Sequence, residues 1–156
     1  MVMLKKIFIS IFSSALISST TILSTSCSTL DFEYTRYSNN FTIIKKYLEN
    51  KAEKNKHVYT KDEKSSLEEW IFKLLNTIKL SDYQIVFDSN DINDKNKILI
   101  DYKYDSIKPN YFGDGKEIIY VVKTFIYFEN SWKSLANYSI NNKSDITIKF
   151  IYNGEE

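Results

Sequence analysis

This 156-residue chain has one cysteine, one histidine, one proline and three glycines, and only one of its 21 basic residues, Arg36, is an arginine. Each shortage excludes something. A lone cysteine cannot close an internal disulfide, so any domain here must hold by its hydrophobic core. A structural zinc site typically needs four Cys, His or carboxylate ligands. With His57 as the sole histidine only carboxylates remain in number, and these suit calcium or magnesium. The segment Gly113-Asp114-Gly115-Lys116 has neither the glycine-rich length nor the hydroxyl after lysine that a phosphate loop requires, and reads as a turn. No serine sits in a nucleophile-elbow pattern. The formal charge of +1 gives no electrostatic footprint for nucleic acid, and no polybasic membrane patch is present. The scarce arginine, glycine and proline have GC-rich codons, and the abundant Lys, Asn, Ile, Tyr and Phe have AT-rich ones. Coding bias therefore accounts for most of the lysines and tyrosines before any function is assigned to them.

What is present begins with a leader. Lys5 and Lys6 precede a charge-free stretch from Ile7 to Leu23, and the small residues Ser24-Thr25-Ser26 abut Cys27. That is the order of a basic n-region, an apolar h-region and a small-residue cleavage site. Leu23-Ser24-Thr25-Ser26-Cys27 resembles the lipobox of bacterial lipoproteins, in the looser form found in low-GC, mollicute-type bacteria. The leucine stands one place further from the cysteine than in the usual motif. The resemblance covers residues 1 to about 30. It implies that residues 1–26 are a signal peptide, that Cys27 carries lipid as the first mature residue, and that the protein is held on the extracellular face of the cell membrane. Stable anchoring takes more than one acyl chain. An ordinary signal peptide cut at the same place is a second reading. An uncleaved anchor is a third, since about 20 apolar residues span a bilayer.

Loss of residues 1–26 leaves one domain's length and, without Lys5 and Lys6, a formal charge of −1. Residues 27–39 read as the lipidated cysteine and a polar tether, and 40–156 as a single domain. A first helix is expected from Thr42 to Lys54, with Asn40 as its N-cap and Ile43, Ile44, Tyr47, Leu48 and Ala52 apolar. A second follows Thr60-Lys61-Asp62-Glu63, which has capping-box spacing. Its stripe is Leu67, Trp70, Ile71, Leu74, Leu75 and Ile78, with Trp70 expected against a sheet. Glu68 and Glu69 early and Lys73 and Lys79 late complement the helix dipole. Strands are expected over Tyr83–Phe87, Lys97–Tyr104, Glu117–Phe128, from Trp132, and over Asp145–Tyr152. Helices first and strands after predict an α+β fold, two helices on one face of an antiparallel sheet of four to five strands. The order weakly resembles cystatin-like or nuclear-transport-factor-like sheets.

Candidate chemistry is sparse. No partner carboxylate is placed beside His57 by spacing, so it reads as an exposed loop residue. Asp88–Asp94 carries hard oxygen ligands but lacks the glycine and terminal glutamate of an EF-hand, and reads as a hairpin loop. Tyr102, Tyr104 and Tyr111 are the tyrosines best placed to line a binding surface. Carboxylates paired in space rather than in sequence leave a small hydrolase open. The expectation is a lipid-anchored, non-catalytic domain that needs no cofactor and binds a protein or small-molecule partner. A surface hydrolase and a structural or antigenic coat are the alternatives.

Overall fold

A computed structural model describes residues 33–92, 96–140 and 143–154. The chain divides into two units, Met1–Arg36 and Tyr37–Glu156, and the fold below is that of the second. Cys27, the leader and most of the expected tether lie outside the described residues.

Helix α1 covers residues 33–54, so it starts well before Thr42, and Asn40 is an interior residue rather than a cap. The reason is an apolar stripe that runs back beyond the expected start: Tyr37, Phe41, Ile44, Leu48 and Ala52 are all buried at the three- and four-residue steps of one helix face. Ile43 falls off that face and is 50% exposed. After β1 (Val58–Tyr59) comes a single 3-10 turn, Lys61–Glu63, and then α2 (Lys64–Asn76). The Thr60 box forms. The backbone N–H of Thr60 donates to Glu63 Oε2 at 2.9 Å and its hydroxyl donates to the same oxygen at 3.0 Å. The Thr60 backbone bond first, then the contact with His57 and then the Thr60 hydroxyl hold the Glu63 carboxyl below the usual range. Leu67, Ile71, Leu74 and Leu75 of α2 are buried. Trp70 is half-buried, its ring edge-on to Phe150 at 5.5 Å, which places it against the sheet as expected.

The remaining strands are β2 (Gln84–Val86), β3 (Lys97–Pro109), β4 (Lys116–Phe128), β5 (Ser131–Ser134) and β6 (Ile146–Tyr152). They form a six-stranded sheet of order β1-β6-β4-β3-β2, with β5 also on β4. The fold is α+β, but the sheet is mixed, not antiparallel. Its edge pairs, β1 with β6 and β2 with β3, are parallel. Residues 88–92, the described part of the expected hairpin loop Asp88–Asp94, therefore belong to a crossover between parallel strands. Trp132 Nε1 latches it by donating to the Ser89 carbonyl at 2.9 Å, and buried Lys97 pairs with Asp91.

β4 is the central strand. Residues 116–126 pair with β3 across one edge. Across the other edge, its first half pairs with β6 and its last four residues with β5. Ile98 and Ile100 of β3, Ile118, Tyr120, Val122 and Ile126 of β4, and Ile146, Ile148 and Phe150 of β6 join the helix stripes in one core. This is the period-two alternation of strands with one face on helices. Phe150 is its hub, with Tyr59, Trp70 and Tyr120 edge-on to it. Among the described residues no helix is long and apolar enough to cross a membrane.

Candidate functional site: a cleft at the open edge of β6

The sequence of β6, Ile-Thr-Ile-Lys-Phe-Ile-Tyr, alternates buried and outward residues. One edge of the strand is filled by β4 from Ile146 to Tyr152. The other is filled by β1 only at Ile151 and Tyr152. Among the described residues, positions 146–150 therefore have no strand on that side. A cleft of about 540 Å³ lies here. Its floor is Thr147 to Ile151, and the C-terminal turns of α1 form one wall with Glu49, Ala52 and Glu53. Phe112, from the hairpin between β3 and β4, lines the opposite side with Glu117 of β4.

The hairpin projects Phe112 because its turn is built from Asn110 to Gly115. The Asn110 N–H donates to the Gly115 carbonyl at 3.0 Å, and the Phe112 N–H donates to Asn110 Oδ1 at 3.1 Å. Gly115 has φ of 94°, a conformation that disfavours a side chain. Gly113-Asp114-Gly115-Lys116 is thus a turn feeding β4. Phe112 is 100% exposed and Tyr111 84%.

Charge in the cleft is uneven. Lys149 and Glu117 are paired at 3.4 Å. Glu49 has only a 3.9 Å contact with Lys45 of its own helix, and Glu53 stands one turn further along the same wall. Among the described residues no cysteine, serine or histidine lines the cleft. Lys56, Asn55 and Asn110 also line it, so its chemistry is that of strand-edge amides and carbonyls, the wall carboxylates Glu49 and Glu53 with Lys56 beyond them, and an aromatic rim.

A second polar cluster lies between α2 and the sheet. The Tyr120 hydroxyl donates to Glu68 Oε1 at 3.2 Å, the Tyr104 ring is edge-on to that of Tyr120 at 6.1 Å, and Lys64 Nζ sits 4.3 Å above the Tyr104 ring. Burial, and then the Glu68 charge, push the Tyr120 phenol well above its usual range and raise Tyr102 in the same direction. The protonated phenol is held as a donor to a carboxylate. Sequence reasoning picked out Tyr102 and Tyr104 but not Glu68, which it assigned to the helix dipole. The missed signal is position: Glu68 follows Leu67 and precedes Ile71 by three, at the margin of the buried stripe. Tyr111 is not part of this cluster and stands at the hairpin tip.

The remaining candidates are dispersed. His57 is an exposed loop residue as expected, and it has a carboxylate partner that spacing does not place: its Nε2 is 3.0 Å from Glu63 Oε1, and its ring is edge-on to Tyr59 at 4.6 Å. Spacing alone missed it because Glu63 was assigned wholly to the cap. In the crossover loop, Asp88 Oδ1 accepts the Asn90 N–H at 2.9 Å and Asp91 is engaged by Lys97. Asn93 and Asp94 lie outside the described residues. Among the described residues no group of three or more His, Cys, Asp or Glu gathers as a metal site would. No family model, curated protein or solved structure matches the chain.

Proposed function

We propose that this chain is a surface lipoprotein, cut before Cys27 and anchored there to the outer face of the cell membrane, whose α+β unit binds a partner in the β6 cleft without catalysing a reaction. The leader and its lipobox-like segment support the anchor. The cleft is the observation that carries the binding function, since concave sites with a few convergent polar groups are where ligands bind. The cleft does gather Glu49, Glu53 and Glu117, which is what the hydrolase alternative would need. A hydrolase pair, however, divides its labour between one protonated and one ionised carboxyl. Glu117 is held by Lys149, and the Glu49 side chain is 46% exposed, so nothing sets one member apart as the acid. The kinship with cystatin-like or nuclear-transport-factor-like sheets is likewise a proposal, resting on helices that precede a long β3-β4 hairpin, and no part of the functional reading depends on it.

Two measurements test the reading. Wild-type protein should incorporate labelled fatty acid and partition into detergent, whereas Cys27→Ala should lose the label and remain a longer precursor; equal labelling of both removes the anchor. In chemical-shift mapping of the full chain against small molecules and peptides, ligands should perturb Glu53, Phe112 and Lys149. Perturbations that avoid the cleft altogether would remove the site.

A further inference from the structure

Resting on that binding reading, we infer that the cleft takes an extended peptide by strand addition to β6, and that the peptide alternates basic and apolar side chains. A strand edge without a neighbour presents a row of main-chain donors and acceptors, and strand addition is the recognition mode that uses them. The size agrees. One residue of strand occupies about 160 Å³, the product of rise, strand spacing and layer spacing. A 540 Å³ cleft therefore has room for three to four residues, against the five positions of β6, 146–150, that have no strand partner on this edge among the described residues.

Alternation sets the chemistry. Side chains of an added strand point by turns to opposite faces of the sheet. On the helix-bearing face they meet the α1 wall, where Glu49 and Glu53 stand four residues apart and outnumber Lys56, which lines the cleft three residues beyond Glu53. Like charges at that spacing disfavour the helix, and a lysine or arginine between them removes the repulsion. On the other face they meet Phe112 and the stem of Lys149, whose charge Glu117 already neutralises, so apolar residues fit there. A second copy of this chain is the poorer occupant. Edge-to-edge pairing of two β6 strands would bring the Glu49 and Glu53 walls of both copies to the same interface.

The test uses the full chain in detergent, panned against a displayed library of seven-residue peptides. Selected sequences should alternate Lys or Arg with apolar residues, and their synthetic forms should slow amide exchange at residues 147–150. Each peptide is then N-methylated on one or the other alternate set of amides. Strand addition requires that one set lose at least tenfold in affinity and the other be tolerated. Glu49→Lys with Glu53→Lys, both exposed helix positions, should lose at least tenfold with an unchanged melting temperature. No enrichment, equal tolerance of both methylated sets, or full affinity in the charge-reversed variant would overturn the inference. So would concentration-dependent protection of 147–150 without peptide, which would assign the edge to a second copy. Ligands that perturb the cleft yet ignore methylation would remove strand addition and leave the binding function standing.

Discussion

Thr124 is 1% exposed and its hydroxyl is the one buried side-chain polar atom without a hydrogen-bond partner among the described residues. It stands opposite Ile100 on β4, between Val122 and Ile126 on the same face. A buried unsatisfied hydroxyl costs about 1–3 kcal/mol, and replacement by an apolar group of the same shape recovers part of that. Thr124→Val should therefore raise stability by about 1 kcal/mol in a urea titration; a loss would mean that the hydroxyl has a partner in solution. Tyr120 is the opposite case, a buried hydroxyl with a charged acceptor. Its phenol titrates above the ordinary value near 10, so above that pH the unfolded chain releases a proton that the folded chain keeps. Stability is fully present below about pH 10 and falls above it, by up to about 1.4 kcal/mol per pH unit. Tyr120→Phe should flatten this alkaline limb even if it lowers stability at neutral pH. An unchanged slope would refute the assignment.

At the scale of elements, the β4-β5 connection shows how a non-glycine turn is tolerated. Glu129 and Asn130 have φ of 48° and 61°, as the two central residues of a tight hairpin turn of the type that suits strand twist. Asparagine accepts the left-handed region; other side chains carry a penalty of about 1–2 kcal/mol. Asn130→Ala should thus cost about 1 kcal/mol by thermal melts, and Asn130→Gly should not. Equal losses would point to a side-chain role instead. α2, β4 and β3 as far as Tyr104 were legible in the sequence because each rests on local signals, a cap and an apolar period, whereas β3 runs on to Pro109, five residues past its expected end. The start of α1 was not legible, because Tyr37 lies in the polar stretch 27–39, whose composition suggests a tether, and Asn40 offers a cap just before Phe41. The parallel edges were not legible either. Nothing in Val58-Tyr59 names Ile151-Tyr152 as its partner, and the Asp/Asn-rich run before Lys97 reads as a hairpin although it joins parallel strands. The cleft was illegible for the same reason, since its walls come from α1, the β3-β4 hairpin and β6, which are far apart in sequence.

Across the whole molecule, β6 joins what the chain order separates. It is the last strand, yet it pairs with β4 and with β1, and Phe150 contacts aromatic rings from β1, α2 and β4 at 5.9, 5.5 and 6.4 Å. The two helices are joined further by the Tyr47 and Thr77 hydroxyls, 2.7 Å apart. Without disulfides, this convergence is where cooperativity must reside. Phe150→Ala empties a site that is 2% exposed and should cost about 3–5 kcal/mol. Trp70→Ala removes a half-buried ring and should cost about 3 kcal/mol. Because each ring is part of the other's contact, the double variant should lose less than the sum, by the roughly 0.5–1.5 kcal/mol of an edge-on aromatic pair. Exact additivity in denaturant titrations would mean that α2 and β6 are stabilised independently. A coupling in this range would mean that loss of the β6 contact loosens the helix layer and the cleft floor together, and peptide binding at the strand edge should then raise the melting temperature of the whole domain rather than of the edge alone.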